Sequence, residues 1–196
     1  MVLAGTGSLL LAGAASAGYL GVELRPYTPA TAAPLVGPST GGSWVVYRAY
    51  AVLTSALDQV TGLGGDGIQP LEAHSTYGFY NDASFGSNIE HNPGFDALVP
   101  GLEWDSYWTI GPPVFPQATQ GAWGPTIGEP TWTGESDYVA TDGGYFQLPG
   151  TASNFGDLRT DGNYEVMIGQ FTVGTGPNPP VGIDGVQRGR RAEVPD

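Results

Sequence analysis

Residues 43 to 53 read SWVVYRAYAVL, and this stretch decides the fold class. Aromatic and β-branched residues dominate it, and they fit the pleated, half-buried surface of a strand. Both alternating faces are apolar except at Arg48, which predicts a strand whose second face is partly covered by a loop. Two further stretches have the same character: Leu102 to Gly111 (LEWDSYWTIG) and Asn163 to Val173 (NYEVMIGQFTV). In the latter, strict alternation puts Tyr164, Val166, Ile168 and Thr172 on one face and Met167, Phe171 and Val173 on the other.

The segments between these strands read as turns and short strands. Thr54 to Leu63 allows a short helix or a strand. Gly62, Gly64, Gly65 and Gly67 around Asp66 read as a turn, and Ile68 to Phe79 as one or two strands. Asn81 to Pro100 predicts a long loop centred on His91-Asn92-Pro93-Gly94. Pro112, Pro113, Pro116, Pro125 and Pro130 make 111–133 a wandering loop or a set of edge strands. Asp142-Gly143 predicts a tight hairpin turn within Tyr138 to Leu148. Tyr19 to Leu24 reads as a first strand, followed by an extended linker through Pro26, Pro29, Pro34 and Pro38. Without a long amphipathic helix, the class is all-β, a β-sandwich or jelly roll with long Gly/Pro-rich loops. The expected organisation is a signal peptide or retained arm over 1–17, an extended linker or edge strand over 18–42, a β-sandwich domain over 43–187 and a flexible tail over 188–196.

Composition supports this and narrows the function. The chain has 196 residues, with 32 Gly and 17 Pro and no collagen-like period. Its length suffices for a core without covalent staples, and it has no cysteine, which removes disulfides and thiol chemistry. The net charge is −13 and all six basic residues are arginine. Such a surface repels phosphate backbones, which argues against nucleic acid as a partner, and attracts cations. At the N-terminus, MVLAGTGSLLLAGAASA ends in Ala15-Ser16-Ala17, an A-x-A cleavage pattern behind an apolar run too short to span a bilayer. It predicts secretion with Gly18 as the first mature residue. If retained, the same segment could act as an arm that adds a strand to a neighbouring copy.

Tyr47-Arg48-Ala49-Tyr50, Gly78-Phe79-Tyr80-Asn81 and above all Leu102-Glu-Trp-Asp-Ser-Tyr-Trp-Thr-Ile-Gly111 resemble a group of secreted proteins of aquatic bacteria, the planctomycete-like and PEP-CTERM-type exoproteins. In that group a D-S-W-[VT]-T-I-G-like stretch follows a loop beginning F-Y-[QN]. The resemblance covers a third of the chain well and implies secretion and a β fold. Its motifs carry no known chemistry. The tail, Arg188 to Asp196, lacks the Pro-Glu-Pro sorting motif of that group.

Few residues point to chemistry. Glu103 and Asp105 share a strand face in an extended reading, the arrangement a glycosidase needs. A third acid expected at position 108 is replaced by Trp108, so the chain reads as non-enzymatic. Asp157, Asp161 and Asn163 in FGDLRTDGN supply oxygen ligands around a Gly turn, a candidate calcium site, although the spacing is not that of an EF-hand. His74 and His91 lack a zinc-binding spacing. Trp104, Trp108, Trp123 and Trp132 either fill a core or form a platform for sugar rings. No cofactor other than calcium is implied. The expected function is an extracellular structural or assembly protein whose partner is itself, through strand addition. The alternative is a secreted carbohydrate-binding module, with calcium assisting, that binds polysaccharide on those tryptophans.

Overall fold

The computed structural model describes residues 18–34, 37–38, 41–113, 118–123, 129–130, 132 and 137–176. The expected cleavage segment 1–17, residues 177–187 of the expected β-sandwich domain and the tail 188–196 lie outside them. Among the described residues the chain is all-β, with several antiparallel sheets. Its strands are β1 (Tyr19–Tyr27), β2 (Trp44–Leu53), β3 (Gly62–Gly65), β4 (Leu71–Ala73), β5 (Tyr107–Trp108), β6 (Gln120–Trp123), β7 (Tyr138–Ala140), β8 (Gly143–Phe146), β9 (Asp157–Leu158) and β10 (Tyr164–Gly174).

WVVYRAYAVL forms β2, paired on one side with β1 and on the other with β10. The main sheet runs β1-β2-β10-β5, and the short β9 also pairs with β10. A second sheet runs β3-β8-β6, and β4 pairs with β7. The shared core joins these sheets. Ala49, Ala51 and Leu53 of β2 and Val166, Ile168, Phe171 and Val173 of β10 cluster with Leu63, Leu71, Trp132, Tyr138 and Tyr145. Val166 and Ile168 differ in parity from Phe171 and Val173, so a regular strand would send one pair away from the core. A register shift between Met167 and Gly169 resolves this: Val166 lies opposite Ala51, and Phe171 opposite Tyr47. The extra residue of a bulge flips the alternation, which is why strict alternation misassigned half of this strand. The other face of the main sheet is covered in part by the loop before β5. Val46, Val52, Leu102, Tyr107 and Met167 are buried there, outside the main cluster.

Four sequence expectations need correction. Leu102 to Gly111 is not one strand. A turn of 3-10 helix (Leu102–Trp104) follows Gly101, whose φ is 93°, and only Tyr107–Trp108 pairs with β10. The polar residues of this stretch bond to backbone instead of leaving it free for a ladder. Asp105 accepts from the Asp82 and Ser87 N–H groups at 2.7 and 3.2 Å, and Ser106 Oγ accepts from Thr172 N at 3.0 Å. Tyr138 to Leu148 is not a hairpin either: β7 pairs with β4 and β8 with β3 and β6. The chain turns a corner at Thr141-Asp142 while segment 62–73 turns with it. Of the glycines expected as a turn, Gly62, Gly64 and Gly65 lie in β3, while Gly67 lies in the bend that Asp66 closes by accepting from the Ile68 and Gln69 N–H groups. Gly64 lies opposite Gly144 and Gly65 opposite Gly143, and a Cβ at Gly144 would lie 2.0 Å from Leu63 O. Finally, the first strand runs through Pro26 to Tyr27, because an edge strand tolerates a residue without an N–H.

Candidate functional site

All three arginines among the described residues lie on or against the outer face of the main sheet. The register sets Arg25 of β1 directly opposite Arg48 of β2, a like-charge pair that destabilises a sheet unless the charges diverge. They do diverge. The Arg25 guanidinium leans over Tyr50, 4.5 Å from its ring centre, and that of Arg48 over Tyr27, at 3.4 Å. Each cation thus sits on the tyrosine diagonally across the strand pair.

The two arginines differ in what neutralises them. Arg25 bonds Glu23 at 3.2 Å and forms a forked pair with Glu165, while Arg159 bonds Glu23, Asp161 and Glu165. The Arg25 bond and the Arg159 bond hold the Glu23 carboxyl below its usual range against the opposing effect of burial. Arg48 has no carboxylate within ion-pair distance among the described residues. Its Nε donates to Gln170 Oε1 at 3.1 Å, and the buried Gln170 donates in turn to the Glu103 and Asp105 carbonyls at 2.8 and 3.0 Å.

Glu103 closes the top of this lattice. Burial raises the pKa of its carboxyl, but the Ala30 and Thr31 N–H groups at 2.9 and 2.7 Å and the Tyr27 hydroxyl at 2.8 Å outweigh that and hold it low. Both oxygens are therefore committed to pinning the chain as it leaves β1. Asp105 is wholly buried, and burial pushes its carboxyl up to about 7 in spite of the N–H groups that favour the charged form. One acid is a clasp and the other is sealed, so the glycosidase arrangement is not assembled.

The lattice borders an open edge. β1 is the last strand of the main sheet, and among the described residues no strand pairs with its outer side. Leu20 and Val22 are 57% and 46% exposed on that strand. Its start is tethered: Thr54 N donates to Gly18 O at 3.0 Å and Gly18 N to Asp58 Oδ2 at 3.2 Å.

The remaining expected site residues fall elsewhere. Trp108 and Trp132 are 2% and 3% exposed and pack edge-on or tilted against Phe171, Phe79 and Tyr138. They belong to the core and are unavailable to a sugar, because burying so large an apolar surface outweighs display. Trp104 is half-buried on the 3-10 turn. Trp123 lies on β6, and its side chain is outside the description. The candidate calcium residues lie on β9 and in the turn between β9 and β10. Asp161 accepts from Arg159 Nε at 3.2 Å and from Asn163 N at 3.0 Å, so a guanidinium already meets its charge. Asp157 sits exposed on β9, and among the described residues no three His, Asp or Glu side chains converge on a metal position.

The sequence singles out His74 but not its pairing with Asp137. His74 bonds Glu72 through Nε2 at 3.0 Å and Asp137 through Nδ1 at 2.8 Å. With both ring nitrogens donating, the imidazolium is favoured, and the Asp137 and Glu72 bonds raise the His74 pKa. The lattice itself left a trace in the i, i+2 spacing of Glu23, Arg25 and Tyr27 and of Arg48 and Tyr50. No family model, curated protein or solved structure matches the chain.

Proposed function

We propose that this protein is a secreted, non-enzymatic structural subunit that assembles with copies of itself by strand addition at β1. The observation that carries the reading is the open outer edge of β1 with Leu20 and Val22 exposed beside it. An unpaired row of backbone donors and acceptors next to apolar side chains is the template on which another strand forms. Pro26 supplies no donor, so pairing is confined to the stretch before it, where a β-sandwich subunit would present its edge. Secretion is supported by the A-x-A pattern at Ala15 to Ala17. Glu103 and Asp105, the acids that invited an enzymatic reading, are engaged in holding loops.

Light scattering and negative-stain microscopy over a range of concentrations test this. The native protein is expected to form oligomers or filaments. Val22→Lys, which places a charge beside the edge, is expected to remain monomeric with an unchanged melting temperature. A native protein that stays monomeric at every concentration overturns the reading.

A further inference from the structure

We infer that the protein carries a built receptor for a new N-terminus at Gly18, formed by Asp58 and Thr54 and filled when the Ala17–Gly18 bond is hydrolysed. The inference rests on the secreted half of the function proposed above, not on self-assembly. Three observations meet at this residue. The Ala15-Ser16-Ala17 pattern ends immediately before it, where a signal peptidase cuts. The Asp58 carboxylate lies 3.2 Å from Gly18 N and has no ion pair among the described residues. A Cβ at position 18 would lie 1.8 Å from Thr54 Oγ1 and 2.7 Å from Thr54 Cβ and Cγ2, so only glycine fits.

In the unprocessed chain the group facing Asp58 is a neutral amide N–H. Hydrolysis adds one water across the peptide bond, leaving a carboxylate on Ala17 and an ammonium on Gly18. The 3.2 Å contact then becomes a charge-assisted bond between opposite charges, about twice as strong as the neutral one. Processing therefore tightens the anchor of β1, which Thr54 N already holds through Gly18 O at 3.0 Å. Asp58 gains a counter-charge that the uncut chain does not give it.

The chain has no lysine, so the α-amine is the only primary amine, and its acetylation is read on the N-terminal peptide by mass spectrometry, apart from that of the tyrosine hydroxyls. The full chain, 1–196, is expressed in a secreting host and recovered from the medium. Mass spectrometry is expected to find Gly18 as the first residue. A different first residue, or none removed, overturns the inference while leaving the oligomeric test of assembly untouched. On the recovered protein, acetylation by acetic anhydride across pH 6 to 10 is expected to show an amine pKa above the ordinary value of about 7.7–8.0. At pH 6.5, below both amine pKa values, Asp58→Asn is expected to react about tenfold faster, the ratio for a shift of about one unit. Equal rates in the two proteins overturn the inference. If Asp58→Asn does not fold, the native pH profile decides alone, and an amine pKa at or below the ordinary range overturns it.

Discussion

Asp105 is the residue whose environment departs furthest from the one its type prefers. Its side chain is 0% exposed, yet it holds the Asp82 and Ser87 N–H groups and so closes the loop over 82–87 against the start of β5. Asp105→Ala leaves both part-buried N–H donors without their acceptor and is expected to cost about 2 kcal/mol in chemical denaturation. The pH dependence has a definite sign. Burial raises the folded carboxyl to about 7, against about 3.9 in the unfolded chain. The folded state binds the proton more tightly, so its contribution is complete below the unfolded pKa and is lost as pH rises through the folded one. The deficit of Asp105→Ala relative to the native protein is therefore expected to grow between pH 8 and pH 5. A deficit that shrinks over that range would contradict the assignment. His74 has the same sign, because the Asp137 and Glu72 bonds raise its pKa. His74→Gln is expected to remove part of the stability gained below pH 6.5 and to leave stability at pH 9 nearly unchanged, as urea melts at the two pH values would show. Neither role was legible in sequence: Asp105 shared a predicted strand face with Glu103, and Asp137 meets His74 only through the β4–β7 pairing.

At the scale of elements, the strand pairs depend on which residues lie opposite one another. β3 and β8 face each other through glycines, and a Cβ at Gly144 would lie 2.0 Å from Leu63 O and 2.6 Å from Gly64 Cα. These are backbone atoms of the paired strand and cannot step aside. Gly144→Ala is therefore expected to destabilise the fold by about 2 kcal/mol or more. Gly67→Ala, where a Cβ would meet nothing within 4 Å, is expected to be neutral or slightly stabilising, through a less flexible unfolded chain. Thermal melts of the two variants check this, and equal losses would count against the close approach. The same pair marks the limit of local reading. β2 and β10 were legible because each is a long apolar run with β-branched and aromatic residues. β3 was not, because glycine has no side chain to signal a strand and the closeness it permits is visible only beside its partner. The β10 bulge was hidden for a similar reason. The register shift is set by the opposing strand, while composition and alternation along β10 alone are unchanged by it.

On the scale of the whole molecule, charge sets the conditions in which this fold is most stable. The chain carries 19 acidic residues and a net charge of −13, so lowering the pH relieves self-repulsion. Asp105 and His74 add stability over the same descent. The opposing groups are the carboxyls held low: Glu23, chiefly by Arg25; Asp161, by the Asn163 N–H and Arg159; Asp66, by the Gln69 and Ile68 N–H groups; and Glu103 and Asp137, by bonds that outweigh burial. A depressed pKa contributes stability above the unfolded value and loses it as pH falls through the folded one. Calorimetry is thus expected to place the highest melting temperature near pH 5, in the gap between the two sets, with a fall below about pH 4. A melting temperature that climbs steadily from pH 4 to pH 8 would overturn this balance. The long apolar strands, the glycine and proline content and the excess of acid are properties of residues and their neighbours in the chain. They determined by themselves that the protein is all-β, where β2 and β10 run, and that it carries a large excess of negative charge. Which acids are sealed, which tryptophans are core and which arginine faces which tyrosine were decided only in the tertiary structure. Burial and pairing are properties of contacts between distant segments, and a strand fixes the face of its own side chains only after its partner has set the register.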